Sequence, residues 1–129
     1  MRRLAILALV VGVACSRDGD AVDPQAFCDR LDRLTSNDPF LAFGDTATAA
    51  EIEEAFAALV ARADELVEVA PPEARAAAGD YADATRALDD LMAAGAYDGT
   101  AVDDRASRAE QLAYADAADR LLRYLETQC

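Results

Sequence analysis

The stretch PQAFCDRLDRL, residues 24–34, decides the fold, because it carries a helix start and a cysteine within the same turn or two. Asp23 stands where an N-cap side chain accepts a free backbone N–H, and Pro24 suits the first helical position, where no N–H is needed. Phe27, Leu31 and Leu34 then recur at four and three residues, one face of a helix. Cys28 sits in this first segment, and Cys129 closes another apolar-periodic one, RLLRYLETQC, residues 120–129. A bridge between them would require the start of the first helix and the end of the last to meet. In an up-down bundle that happens only with an even number of helices. Three helices would hold the two cysteines a bundle length apart, beyond the roughly 4.4–6.8 Å between Cα atoms that a disulfide spans.

The rest of the chain supplies the even number. Thr48-Ala-Ala-Glu51 is a capping box, followed by Ile52, Phe56, Leu59, Val60, Ala63, Leu66 and Val67 at helical spacing. Pro71-Pro72 ends that segment and starts a third, with Ala77, Tyr81, Ala84, Leu88, Leu91 and Met92 expected inward, until Gly95. A fourth begins near Asp103 and places Leu112, Ala115, Ala118, Leu122, Leu125 and Cys129 on one face. No segment alternates with the period of two that a half-buried strand requires. The expected fold is all-α, a small antiparallel four-helix up-down bundle over residues 23–129, with an Ala-rich core and no tryptophan. Alanine favours helix without help from packing but buries little area per residue.

Ahead of the bundle lies a different kind of sequence. Arg2 and Arg3 precede the uncharged apolar run Leu4–Ala14. This is the layout of a secretory signal, and the run is shorter than the roughly 17–25 residues of a spanning helix. VVGVACS, residues 10–16, resembles the bacterial lipobox, in which a small residue precedes a cysteine that is diacylated before the chain is cut in front of it. Gly12 occupies a position where that motif usually has Leu. The resemblance implies a lipoprotein-type signal peptide over 1–14, a lipid on Cys15, and SRDGDAVD as an acidic tether completing 15–22. Two acyl chains hold a protein stably where one holds it marginally. The expected location is the outer face of the cytoplasmic membrane, anchored by Cys15; without acylation the chain would be secreted.

Three cysteines are present, so acylation of Cys15 leaves Cys28 and Cys129 as an even pair in an oxidising compartment. A disulfide is the expected state, and a buried Cys28 with a free Cys129 is the alternative. The loop such a bridge closes, on the order of 100 residues, corresponds to about 4.7 kcal/mol of chain entropy. The chain has no histidine, which together with an isolated cysteine pair rules out a zinc reading.

The formal net charge is −13, and losing Arg2 and Arg3 with the signal takes it to −15. Every basic residue is arginine. This balance argues against nucleic acid as a partner, which needs a positive footprint. Anionic headgroups would also repel the domain, leaving Cys15 as its membrane contact. The acidic runs make a poor calcium loop: counting from Asp18, the fifth, sixth and twelfth positions are Val22, Asp23 and Asp29. They read better as a solvated face, with Arg86 near Asp83 and Asp90, and Arg120 near Asp116, as helix pairs.

Catalytic chemistry is hard to assemble from this composition. There is no histidine for proton transfer, and Ser16, Ser36 and Ser107 lie outside any nucleophile-elbow setting. No Gly-rich phosphate loop or other cofactor motif occurs. The sequence predicts a non-enzyme without cofactor or metal. The candidate interaction segment is TSNDPFLAFGDT, residues 35–46, where Phe40, Leu41 and Phe43 stand among turn residues. They either fold back to plug the end of the bundle or form an exposed apolar patch with an acidic rim that binds a protein partner. Tyr97 and Val102, in the loop GAYDGTAVDD, residues 95–104, offer a weaker version.

In order, the lipobox-like signal, the acidic tether, FCDRLDRL, an APPE turn and the closing RLLRYLETQC resemble small Ala- and Asp-rich exported lipoproteins of high-GC actinobacteria. That group is mostly without assigned function, so the resemblance implies a place and an architecture and supplies no site residues. The expected role is a lipid-anchored extracytoplasmic interaction or accessory module. The alternative is a small-ligand or cation-binding domain, which calls for an enclosed apolar pocket of a few hundred Å³.

Overall fold

A computed structural model describes residues 23–37, 46–98 and 104–129. The signal and tether, Cys15, Phe40, Leu41, Phe43 and Val102 lie outside the described residues. The described chain forms four helices, α1 (Pro24–Ser36), α2 (Ala49–Val69), α3 (Arg75–Ala94) and α4 (Asp104–Gln128), and no strand among the described residues. They pack as a small helical bundle.

Local chemistry explains where the helices begin. The Asp23 carboxylate accepts from the Gln25 N–H at 3.0 Å, with Pro24 next to it in the first turn. At α2 the capping box is complete: the Glu51 N–H donates to Thr48 Oγ1 at 3.3 Å and the Thr48 N–H donates to Glu51 Oε2 at 2.8 Å. The Thr48 N–H and, after it, the Thr48 hydroxyl, which donates to Glu51 Oε2 at 2.9 Å, hold the Glu51 carboxyl below its usual pKa. The third helix begins later than the double proline predicts. Pro71 to Ala74 form a tight turn, closed by the Ala74 N–H on the Pro71 carbonyl at 2.9 Å, and α3 starts at Arg75 without a side-chain cap. Burial of Ala70 and Ala74 on either side of the prolines holds this turn against the core.

Adjacent helices pack in a ring. The α2–α3 and α3–α4 interfaces are extensive and those of α1 with α2 and α4 smaller, while the diagonal pairs do not approach within 8 Å between Cα atoms. Cross-helix bonds pair ascending numbers on one helix with descending numbers on the next. Glu73, in the turn before α3, and Asp80 of α3 meet Tyr124 and Arg120 of α4. Arg30 of α1 meets Glu65 of α2, and Asn37, just past α1, meets Arg62. This is the order expected of antiparallel neighbours. Cys28 and Cys129 form a disulfide, their Cα atoms 5.7 Å apart, joining the first turns of α1 to the end of α4.

The core is built from a few large side chains set among alanines. Phe27, Leu31, Leu66 and Leu121 are essentially inaccessible, while Ala63, Ala78 and Ala117 let the helices approach closely. Phe27 meets the Tyr124 ring edge-on, centroids 5.3 Å apart. Thr85 is fully buried and satisfies its hydroxyl by donating to the Tyr81 carbonyl one turn back, at 2.7 Å.

The face that α4 buries differs from the one its sequence spacing picks out. Tyr114, Ala117, Leu121 and Tyr124 point to the core, with Ala118 and Leu125 half-buried beside them. Leu112 remains 66% exposed and Leu122 42%, and Ala115 is exposed. The reason is the length of α1. At about 1.5 Å per residue its 13 residues span about 20 Å, against about 37 Å for the 25 of α4. The disulfide sets α1 against the C-terminal half of α4, and Leu112 lies beyond its reach.

Candidate functional site

The short α1 leaves an opening in the α1–α4 seam, away from the disulfide. It is a pocket of about 210 Å³ to which all four helices contribute, lined chiefly by Leu31 and Leu34 of α1, Leu59 of α2, Tyr81 of α3, and Tyr114 and Leu122 of α4. The Tyr81 and Tyr114 hydroxyls lie 3.0 Å apart and their rings stack at a 40° tilt with centroids 5.2 Å apart. This pair and Thr35 are the polar points of an otherwise apolar wall. The pocket is partly open rather than enclosed, and its volume is below the roughly 300–1,000 Å³ typical of small-molecule sites. It continues outward into the exposed stripe of α4. Leu122 borders it, and Ala109 and Leu112 form a second shallow surface with Arg105 and Arg108.

Tyr97, the weaker interaction candidate, is packed back onto the bundle. Its ring lies 6.2 Å from that of Phe56, and its hydroxyl donates to Asp89 Oδ1 at 2.8 Å. The Asp89 bond, followed by burial and the charges of Asp89, Glu53 and Asp90, pushes its pKa up to about 12. Gly95 ends α3 as the sequence predicts, but the left-handed backbone falls on Ala96 (φ 52°) and Tyr97 (φ 57°) instead. The anchored Tyr97 ring offsets this unfavourable geometry.

The acidic residues form ion pairs across and along helices. Arg86 engages Asp64 of α2 at 2.6 Å and Asp83 at 3.6 Å, and Arg120 engages Asp80 at 2.8 Å. Arg120 Nε also lies 3.3 Å from Asp116, at ion-pair distance but outside hydrogen-bond geometry. Among the described residues, no three Asp, Glu, Cys or His side chains come together as a metal site, and no helix is long and apolar enough to cross a membrane. No Asp or Glu of residues 23–37, 46–98 and 107–129 is buried.

Comparison with known protein families, curated proteins and solved structures finds no match. The site therefore rests on its own geometry. Of the residues singled out in the sequence, Cys28 and Cys129 come together. The tyrosine pair and the exposure of Leu112 and Leu122 went unforeseen. Tyr114 does stand three and seven residues before Ala117 and Leu121, a helical spacing that marks the true inner face of α4.

Proposed function

We propose that this chain is a lipid-anchored extracytoplasmic helical module that docks another protein through the outer face of α4. The observation that carries the reading is the exposure of Leu112 at 66% and Leu122 at 42% along a helix whose core side buries Ala117 and Leu121. Large apolar side chains aligned on one exposed face are the usual material of a protein-binding surface. Leu4–Ala14 and Cys15 supply the anchoring half of the proposal, since a tethered domain without a catalytic constellation acts by holding something near the membrane. The test is native size in mild non-ionic detergent, measured by light scattering on protein from the membrane fraction of a Gram-positive host. A particle containing a second protein, lost on Leu112→Glu/Leu122→Glu with the melting temperature kept, supports it. A lone protein of the same size before and after the substitution rules it out.

The seam pocket favours a second reading, a small apolar ligand bound against the Tyr81–Tyr114 pair. Mass spectrometry of the purified protein after denaturation separates the two: a stoichiometric apolar molecule without a phosphate group would belong to this pocket.

A further inference from the structure

With 25 carboxylates and 12 arginines in the chain, acid is available for every guanidinium. Arg86, Arg120 and Arg123 each take a carboxylate accordingly. The cleft between the second half of α1 and the middle of α2 is different. Arg30 and Arg33, one turn apart on α1, and Arg62 on α2 line a pocket of about 280 Å³ with Leu34, Asn37 and Glu65. Among the described residues Glu65 is the sole carboxylate in that lining, and Arg30 holds it at 3.0 Å. Arg62 is fixed by donating to the Asn37 backbone carbonyl at 2.6 Å. Among the described residues neither Arg33 nor Arg62 has a carboxylate in ion-pair range.

Part of this follows from helix electrostatics. The C-terminal end of α1 is its negative pole, and Arg33 in the last turn and Arg62 on the Asn37 carbonyl both suit it. A helix end carries about half an elementary charge, however, and three guanidinium groups line the cleft with one carboxylate between them among the described residues. The remaining positive charge surrounds open volume.

We propose that Arg30, Arg33 and Arg62 form a binding site for a phosphate group. Guanidinium forks match the oxygens of a phosphate two at a time, which a simple point charge does not do. Arg33 and Arg62, which have no carboxylate partner among the described residues, offset most of the −1.5 to −2 charge, roughly, that a phosphomonoester carries near neutral pH. The cleft is larger than a bare phosphate needs, and Leu34 gives it an apolar wall, so a small organic substituent fits beside the anion. With a net charge of −13 the molecule repels anions at a distance, and binding here depends on contact within the cleft. The phosphate has two chemical sources, a soluble phosphate or phosphomonoester and a phospholipid headgroup. The second of these rests on the anchoring reading above, and the first does not.

The experiment is NMR of the oxidised full-length protein in non-ionic detergent, following the arginine Nε–H resonances as inorganic phosphate replaces chloride at constant ionic strength. Saturable shifts confined to Arg30, Arg33 and Arg62 are expected, weakened about tenfold or more by Arg33→Gln, the loss of one charge-assisted bond. Arg33 is exposed and its helix-end charge contributes little to stability, so this variant stays folded with a melting temperature only slightly below wild type, and Arg62→Gln should weaken binding in the same sense. A parallel titration with phosphatidylglycerol bicelles assigns the source. Shifts of the same three residues that Arg33→Gln abolishes identify the headgroup, and shifts with free phosphate alone identify a soluble ligand. Shifts spread equally over Arg75 and Arg123, shifts unchanged by Arg33→Gln, or none that saturate in either titration overturn the site.

Discussion

Tyr97 shows how one side chain can hold a backbone that its neighbours do not favour. Ala96 and Tyr97 both have positive φ, a region that costs a non-glycine residue about 1–2 kcal/mol. The Tyr97 ring on Phe56 and the hydroxyl on Asp89 supply the compensation. Ala96→Gly should therefore stabilise the fold by about 0.5–1 kcal/mol, read as a higher urea midpoint with unchanged slope. The same tyrosine gives the fold an alkaline limit. Its pKa is raised from 10.0 to about 12, so folding favours the protonated phenol. That stabilisation is complete below pH 10 and disappears as pH rises through about 12. Tyr97→Phe should cost about 1 kcal/mol below pH 10 through loss of the Asp89 bond, and the gap to wild type should close toward pH 12. Urea unfolding on either side of this window tests it, and a gap independent of pH would mean the phenol is not held by Asp89.

At the scale of elements, α4 separates what hydrophobic pattern can decide from what it cannot. Leu121 is 2% exposed and Leu112 66%, although spacing alone assigns Leu112 to the core. Leu121→Ala should cost about 2–5 kcal/mol and Leu112→Ala less than about 0.5, measured by thermal unfolding. Equal costs would mean that α4 is rotated from its described orientation. The ambiguity is physical. The stripe Leu112, Ala115, Ala118, Leu122 and the stripe Tyr114, Ala117, Leu121, Tyr124 both repeat at threes and fours, one residue out of phase. One residue is about 100° of helix, so the apolar arc is wide enough for two faces. Only a neighbour can choose between them, and the choice depends on the length of α1 and the bridge that positions it. Where local chemistry is sufficient, the sequence was readable: Asp23-Pro24 and Thr48 with Glu51 mark helix starts that the structure reproduces. The arginine cleft was not, because Arg30, Arg33 and Arg62 meet only when α1 lies on α2.

Across the whole molecule, the Cys28–Cys129 disulfide matters most for the helix that packs least. Helix α1 has smaller interfaces than α3 has with either of its neighbours, and its apolar anchors are Phe27, Leu31 and Leu34. The bridge spans a sequence separation of 101, and constraining a loop of that size is worth about 4.7 kcal/mol in the chain-entropy account. Without it, α1 must stay docked by three apolar side chains, the Arg62 bond to the Asn37 carbonyl and the Arg30–Glu65 pair, which is half exposed and contributes at most about 1 kcal/mol. The α2–α3–α4 unit keeps both extensive interfaces. Reduction should then act in two steps, opening α1 locally before the remainder unfolds. Hydrogen exchange on the reduced protein, or on Cys129→Ser, should show protection lost first over residues 24–36 and kept longer over α2 and α3. The thermal midpoint should fall by about 10 °C or more, given about 4–8 °C per kcal/mol for a domain of this size. Uniform loss of protection would make the bundle one cooperative unit. An unchanged midpoint would show that packing alone holds α1 in place. The two-step outcome has a functional corollary, because α1 carries one wall of both the seam pocket and the arginine cleft. A reductant that frees α1 should abolish phosphate-dependent shifts at Arg62, while the α2–α3 interface, around Asp64 and Arg86, keeps its structure.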